Sequence, residues 1–134
     1  MAEQWQSTPR SRHLSGRRNE GTLPEMRLRS ALHRLGARFR LHRRLAPGCS
    51  PDIVLPRHKV AVFVDGCFWH NCPKHGRKRP WSGPNARLWE AKLARTAKRD
   101  TAAVEVAEAL GWKAVRIWEC DVMADPEAVA RKLL

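Results

Sequence analysis

No stretch of this chain stays apolar over the roughly 20 residues that a membrane-spanning helix needs. The first ten residues are polar, with Trp5 the only large apolar side chain after Met1, so no secretory signal pattern is present. Both absences point to a reducing cytoplasm. Cysteine is scarce, with four in 134 residues. In a reducing compartment such thiols point to metal binding or catalysis rather than to a disulfide framework. There is no internal repeat, and the length suits one domain with one core. Acidic residues are scarce as well: 13 Asp and Glu face 26 Lys and Arg, for a formal charge of +13. That excess favours a polyanionic partner, most often nucleic acid. The blander alternative is a basic ribosome-associated or merely very soluble protein.

The positive charge is concentrated. Residues 1–44 hold eleven arginines against three glutamates, and a second basic run comprises Lys74, Arg77, Lys78 and Arg79. Guanidinium presents a planar fork of donors that matches phosphate. Met1 to Gly21 has no sustained apolar period and reads as a flexible basic N-terminal arm, with residues 22–134 forming the single domain. Thr22 and Glu25 fit a capping box with Pro24 in the first turn, and Leu28, Leu32 and Leu35 make one apolar stripe ending at Gly36. Arg38 to His42 alternates as a half-buried strand. Asp52 to Leu55 and Val60 to Val64 form a hairpin around the turn Pro56 to Lys59, apolar on both faces and so covered on both sides. Asn85 opens a helix running to about Leu110, with Gly111 as its stop. Lys113 to Trp118 is a strand, and Asp125-Pro126-Glu127 starts a last helix to Leu134. The order α-β-β-β-α-β-α describes an α/β domain with a mixed sheet.

The segment Val64 to His75 concentrates the chemistry, with a carboxylate, two cysteines, two histidines and two adjacent aromatics after a buried strand. If hairpin partners sum to about 115, Asp52 lies opposite Phe63, within reach of Val64 and Asp65. An oxygen-rich corner of that kind suits Mg²⁺, which keeps waters and binds substrate phosphates, and it could support phosphodiester hydrolysis. The competing reading of Asp52 is a strand-end aspartate after Pro51. For Glu25 it is the capping box, and a catalytic Glu25 requires its helix to face the hairpin. Cys67, Cys72 and His75 have the soft donors that tetrahedral Zn²⁺ prefers. The fourth ligand is either His70, nearest in sequence, or Cys120, delivered by the end of the strand Lys113 to Trp118. Cys120 is favoured, because it leaves His70 free for chemistry. Cys49 has no assigned role.

Phe68 and Trp69 cannot both face a core easily from one loop. Wedging into a base stack is one physical use for them, and core packing beside the zinc is the other. Trp89, Thr96 and Asp100 fall on one line of the long helix at about 100° per residue. From there Asp100 could orient His70 and raise its basicity, or pair with Arg95, Lys98 or Arg99.

Pro51-Asp52-Ile53-Val54, Val62 to His70, Cys72-Pro73, Lys98-Arg99-Asp100, Gly111-Trp112 and Trp118-Glu119-Cys120 together resemble the very short patch repair endonucleases. The resemblance runs from about Ser11 to the last helix, and the Gly-Cys-Phe-Trp-His block is highly specific. It implies a restriction-endonuclease-like fold and a Mg²⁺-dependent enzyme that nicks DNA just 5′ of the thymine in T:G mismatches left by 5-methylcytosine deamination. By that resemblance, Asp52 and the Val64 carbonyl hold Mg²⁺, and His70 is the general base. Glu25 and Asp100 match active-site acids, while Asp65 matches a position that is histidine in some relatives. Structural Zn²⁺ falls to Cys67, Cys72, His75 and Cys120. Phe68, Trp69 and Trp89 match DNA-intercalating aromatics, and the arm matches a DNA-gripping segment. Thr96 stands where a relative carries asparagine, and no lysine follows two residues after Asp65 as in the wider nuclease superfamily. The implied partner is mismatched double-stranded DNA, met by a monomer at the bacterial nucleoid, with other mismatch-repair proteins as further partners. The alternatives are a zinc-containing DNA-binding protein that has lost cutting, or a nuclease whose specificity has drifted.

Overall fold

The computed structural model describes residues 22–67, 72–73 and 82–134. Helix α1 spans Leu23–Arg34, with Pro24 in its first turn and Gly36 at φ +75° just beyond its end. A left-handed residue at that place lets the last carbonyls be satisfied, here by the N–H groups of Gly36 and Ala37. The expected capping box does not form, because Thr22 makes no side-chain cap. Glu25 is turned into the protein instead and is 2 % exposed. The helix buries Leu28, Ala31 and Leu32.

Strand β1 is only Arg40–Leu41, shorter than the alternating pattern suggested. His42 breaks it by adopting φ +47°, although its N–H still bonds to the Asp52 carbonyl at 3.0 Å. Strands β2 (Ile53–Leu55) and β3 (Val60–Asp65) form the predicted hairpin. Ile53 pairs with Val62, Val54 with Ala61 and Leu55 with Val60, so partner numbers sum to 115. Helix α2 (Ala86–Ala109) carries the chain to β4 (Lys113–Trp118), which lies parallel to β3. A parallel neighbour demands such a crossover. Asn85 occupies the N-cap of α2 without capping it, its side chain being buried. A short helix absent from the sequence reading, α3 (Glu119–Ala124), follows β4 directly. The last helix, α4 (Pro126–Leu133), starts where Asp125 accepts the Ala128 N–H at 3.0 Å.

The sheet order is β1-β2-β3-β4, antiparallel over the first three strands and parallel at the last pair. Successive side chains point to opposite faces, and each face finds its own cover. Ile53, Leu55, Val60 and Val62 pack with Leu28 and Leu32 of α1, Val122 of α3 and Leu133 of α4. Val54, Ala61 and Phe63 pack with Cys49 and with Ala103 and Ala107 of α2. The sheet is therefore covered on both sides, as the two-sided apolar strands required. No described helix is long and apolar enough to cross a membrane.

Candidate active site and cysteine cluster

The hairpin register fixes Asp52 one residue before β2, where its N–H bonds to the Val62 carbonyl at 3.0 Å. Its Oδ2 accepts the Val64 N–H at 2.7 Å, so the carboxylate folds back over the end of β3. Helix α1 delivers Glu25 to the same corner, and the kink after β1 delivers His42. His42 Nε2 lies 2.8 Å from Glu25 Oε1, and one ligand atom from each of Glu25, His42 and Asp52 falls within 4.8 Å of the others. Burial pushes the Asp52 carboxyl up from its ordinary 3.8 to about 6. The Val64 N–H and His42 oppose that rise, while Glu25 and Asp65 add to it through like charge. Two carboxylates crowded into one partly buried corner, with an imidazole beside them, fit a divalent cation, which would relieve the repulsion and the burial together.

The other side of β3 carries a second ionic group. Phe63 and Arg116 are register partners across β3 and β4. The Arg116 guanidinium lies over the Phe63 ring, 4.7 Å from its centroid. Its Nε and Nη2 grip the two oxygens of Asp65 at 2.7 Å each, a fork-on-fork pair. Nη2 also lies 3.0 Å from Asp100 Oδ1, and Nη1 donates to the Asp100 carbonyl at 3.4 Å. Arg116 thus ties the end of β3 to the middle of α2. Along α2, the Thr96 hydroxyl donates to the Lys92 carbonyl at 3.0 Å, and Trp89 is half-buried with the Lys92 ammonium 5.9 Å from its ring centroid.

The third group gathers sulfur. Because Asp65 pairs with Trp118, Cys67 and Cys120 each stand two residues past the end of adjacent parallel strands. The thiol sulfurs of Cys67, Cys72 and Cys120 lie within 4.8 Å of one another, with 3.7 Å between Cys72 and Cys120. The backbone holds the arrangement: Cys72 N–H bonds to the Cys67 carbonyl at 2.9 Å, and Cys67 N–H to Glu119 Oε1 at 3.0 Å. Burial holds the Cys67 and Cys120 thiols above their usual range. Three soft donors at these separations have the chemistry of a thiophilic metal site.

Comparison with known proteins decides what this arrangement belongs to. The family model described as DNA mismatch endonuclease Vsr matches residues 2–75. The chain is 44 % identical over 123 residues to the Type II nicking enzyme V.NaeI of Lentzea aerocolonigenes, covering 89 % of this chain and 72 % of that protein. It is 41 % identical over 107 residues to the Type II nicking enzyme V.XorIIP of Xanthomonas oryzae pv. oryzae, covering 78 % and 75 %. With the DNA mismatch endonuclease Vsr of Escherichia coli (strain K12) it shares 30 % over 120 residues, covering 90 % and 75 %. The chain belongs to the Vsr family. It is accordingly a DNA endonuclease, a hydrolase whose substrate is DNA, built on a four-stranded mixed sheet flanked by helices.

In this Vsr-family chain the structure brings together Glu25 and Asp52 at one corner, Asp65 and Asp100 on Arg116, and Cys67, Cys72 and Cys120 in one cluster. Phe68, Trp69, His70 and His75 lie outside the described residues. The partner at Asp100 is Arg116 on β4 rather than Arg95, Lys98 or Arg99 on its own helix. Sequence reasoning passed over three residues. His42 read as the end of a strand, and its left-handed backbone has no sequence signature beyond histidine's tolerance of it. Arg116 is a lone charge inside the apolar run Val115 to Trp118, which a buried counter-ion would have explained. Glu119 precedes Cys120, and its bond to the Cys67 backbone becomes visible only once β3 and β4 are aligned.

Proposed function

We propose that this Vsr-family endonuclease nicks one DNA strand just 5′ of the thymine in T:G mismatches arising from 5-methylcytosine deamination, and so initiates very short patch repair. The observation that carries the reading is the convergence of Glu25 and Asp52, 27 residues apart, with the Val64 backbone at the exit of the hairpin. Asp52 and the Val64 carbonyl hold Mg²⁺, with Glu25 beside them. The bound Mg²⁺ supplies charge neutralisation on the scissile phosphate and acidifies water. His70 takes the proton of the attacking water as its oxygen bonds to phosphorus, and the bond to the sugar oxygen breaks as that oxygen takes a proton from solvent water. Asp100 orients His70, and Asp65, held at both oxygens by Arg116, anchors the end of β3 beside the site.

Structural Zn²⁺ on Cys67, Cys72, His75 and Cys120 fixes the loop that carries His70, and the three converging thiols support this. Phe68, Trp69 and Trp89 wedge into the duplex beside the mismatch. The fold is restriction-endonuclease-like, and the enzyme works as a monomer on nucleoid DNA in the bacterial cytoplasm, with other mismatch-repair proteins in attendance. V.NaeI and V.XorIIP are named Type II nicking enzymes, which favours a second reading for specificity alone: the same nicking chemistry with a preference that has drifted from T:G mismatches.

A short duplex with one T:G pair tests the proposal. Mg²⁺-dependent nicking of the thymine strand by the parent, lost in Asp52→Ala, is expected. Absence of any metal-dependent nick across a panel of mismatched duplexes overturns it.

A further inference from the structure

We propose that His42 is a positioning residue of the cutting centre, one that fixes the Glu25 carboxylate beside Asp52 so that the two acids present one prearranged cation site. The inference rests on the reading that Asp52 holds a divalent cation. Three observations carry it. The imidazole Nε2 lies 2.8 Å from Glu25 Oε1. The same side chain has a ligand atom within 4.8 Å of the Asp52 carboxylate. The His42 N–H bonds to the Asp52 carbonyl at 3.0 Å, so one residue touches one acid through its ring and the other through its backbone. The Glu25 side chain is almost wholly buried, while that of His42 is one-quarter exposed. The histidine is thus the more solvent-accessible member of the pair.

The backbone of His42 adds a constraint. At φ +47° it stands in the left-handed region, uncommon for a residue with a side chain. There β1 stops and the ring turns towards α1 instead of continuing the strand alternation. Carboxylates that hold metals are themselves held by hydrogen bonds, and removing such an outer partner typically weakens metal affinity or activity by about 10–100-fold. At ion-pair distance from Glu25 Oε1, His42 occupies the place of such an outer partner.

Two substitutions separate positioning from mere backbone accommodation. Asparagine accepts the left-handed turn but is too short to reach Glu25. Glutamine reaches Glu25 with an N–H donor and suits the turn less well. The experiment titrates Mn²⁺ into the full-length, zinc-loaded protein without DNA, following free Mn²⁺ by electron paramagnetic resonance. The parent is compared with His42→Ala, His42→Asn, His42→Gln and Asp52→Ala, after melting curves and zinc content confirm folding. We expect His42→Ala and His42→Asn to weaken binding by about 10–100-fold, and His42→Gln to recover most of the loss. The Mg²⁺ concentration for half-maximal nicking should follow the same ranking. Parent-like binding by His42→Ala beside lost binding by Asp52→Ala overturns the inference and leaves the metal assignment standing. Rescue by Asn and not by Gln overturns it too, because the turn alone would then matter. Parent-like binding by Asp52→Ala overturns the metal assignment itself, and the inference with it.

Discussion

Asp52 sits in surroundings unlike those of an ordinary strand-end aspartate. Burial and the neighbouring Glu25 lift its carboxyl from 3.8 to about 6, which has a consequence for stability in the absence of Mg²⁺. Below pH 4 the side chain is neutral in both folded and unfolded chains and contributes nothing. Between pH 4 and 6 the unfolded chain releases its proton while the folded one keeps it, so rising pH favours unfolding. Above pH 6 the penalty is constant, at about 2–3 kcal/mol for a shift of this size. Asp52→Asn keeps the shape and an oxygen for the Val64 N–H, and it removes the charge. Urea denaturation without added Mg²⁺ should therefore find Asp52→Asn more stable than the parent at pH 7–8, with the gap closing towards pH 4. Added Mg²⁺ should stabilise the parent alone. A variant less stable than the parent at pH 8 would show that the corner does not strain this carboxylate.

At the scale of elements, the parallel pairing of β3 with β4 does two jobs. It carries Arg116 to Asp65 and Asp100, and it sets Cys67 level with Cys120. The sulfur cluster was legible in the sequence because strand ends are predictable from apolar runs, and a cysteine two residues past each end must meet its counterpart if the strands are neighbours. The hairpin register was legible for a similar reason: both strands are short, and the turn Pro56 to Lys59 fixes the sum of partner numbers. The kink at His42, the failed cap at Thr22 and the helix Glu119–Ala124 were not legible. Each depends on a tertiary demand, the pull of Glu25 into the corner or of Glu119 onto the Cys67 backbone, that overrides local preference. Cys49 shows the contrast between thiols. It is fully buried against α2, with Sγ 3.3 Å from the Ala103 carbonyl, and a serine there can keep that bond. Cys120→Ser, by comparison, removes a donor from the cluster. Metal analysis should find zinc lost and soluble yield reduced in Cys120→Ser, with both retained in Cys49→Ser. Full zinc in Cys120→Ser would move the fourth ligand to His70 and take away its freedom to act as a base.

Over the whole molecule, the sheet corner is a small acidic centre inside a strongly basic chain of formal charge +13. The division is physically apt for a nuclease, because long-range attraction draws the polyanion while the acids are sheltered at the end of the hairpin for metal. Binding should consequently be governed by counterion release. If about six phosphates are neutralised, the logarithm of the binding constant falls against the logarithm of salt concentration with a slope of roughly −5. Residues 1–21 carry four of the arginines, Arg10, Arg12, Arg17 and Arg18. Replacing all four with glutamine removes up to four phosphate partners, each worth about 0.9 in slope. Fluorescence anisotropy on a mismatched duplex, in buffer without Mg²⁺, should show the slope moving from about −5 to as little as about −2 when all four rest on phosphate. Because phosphate contacts carry no sequence information, the loss of affinity should be equal for matched and mismatched duplexes, leaving their ratio unchanged. An unaltered slope would mean that residues 1–21 do not touch DNA, and that the grip lies with the arginines further along the chain and the basic run at Lys74 to Arg79.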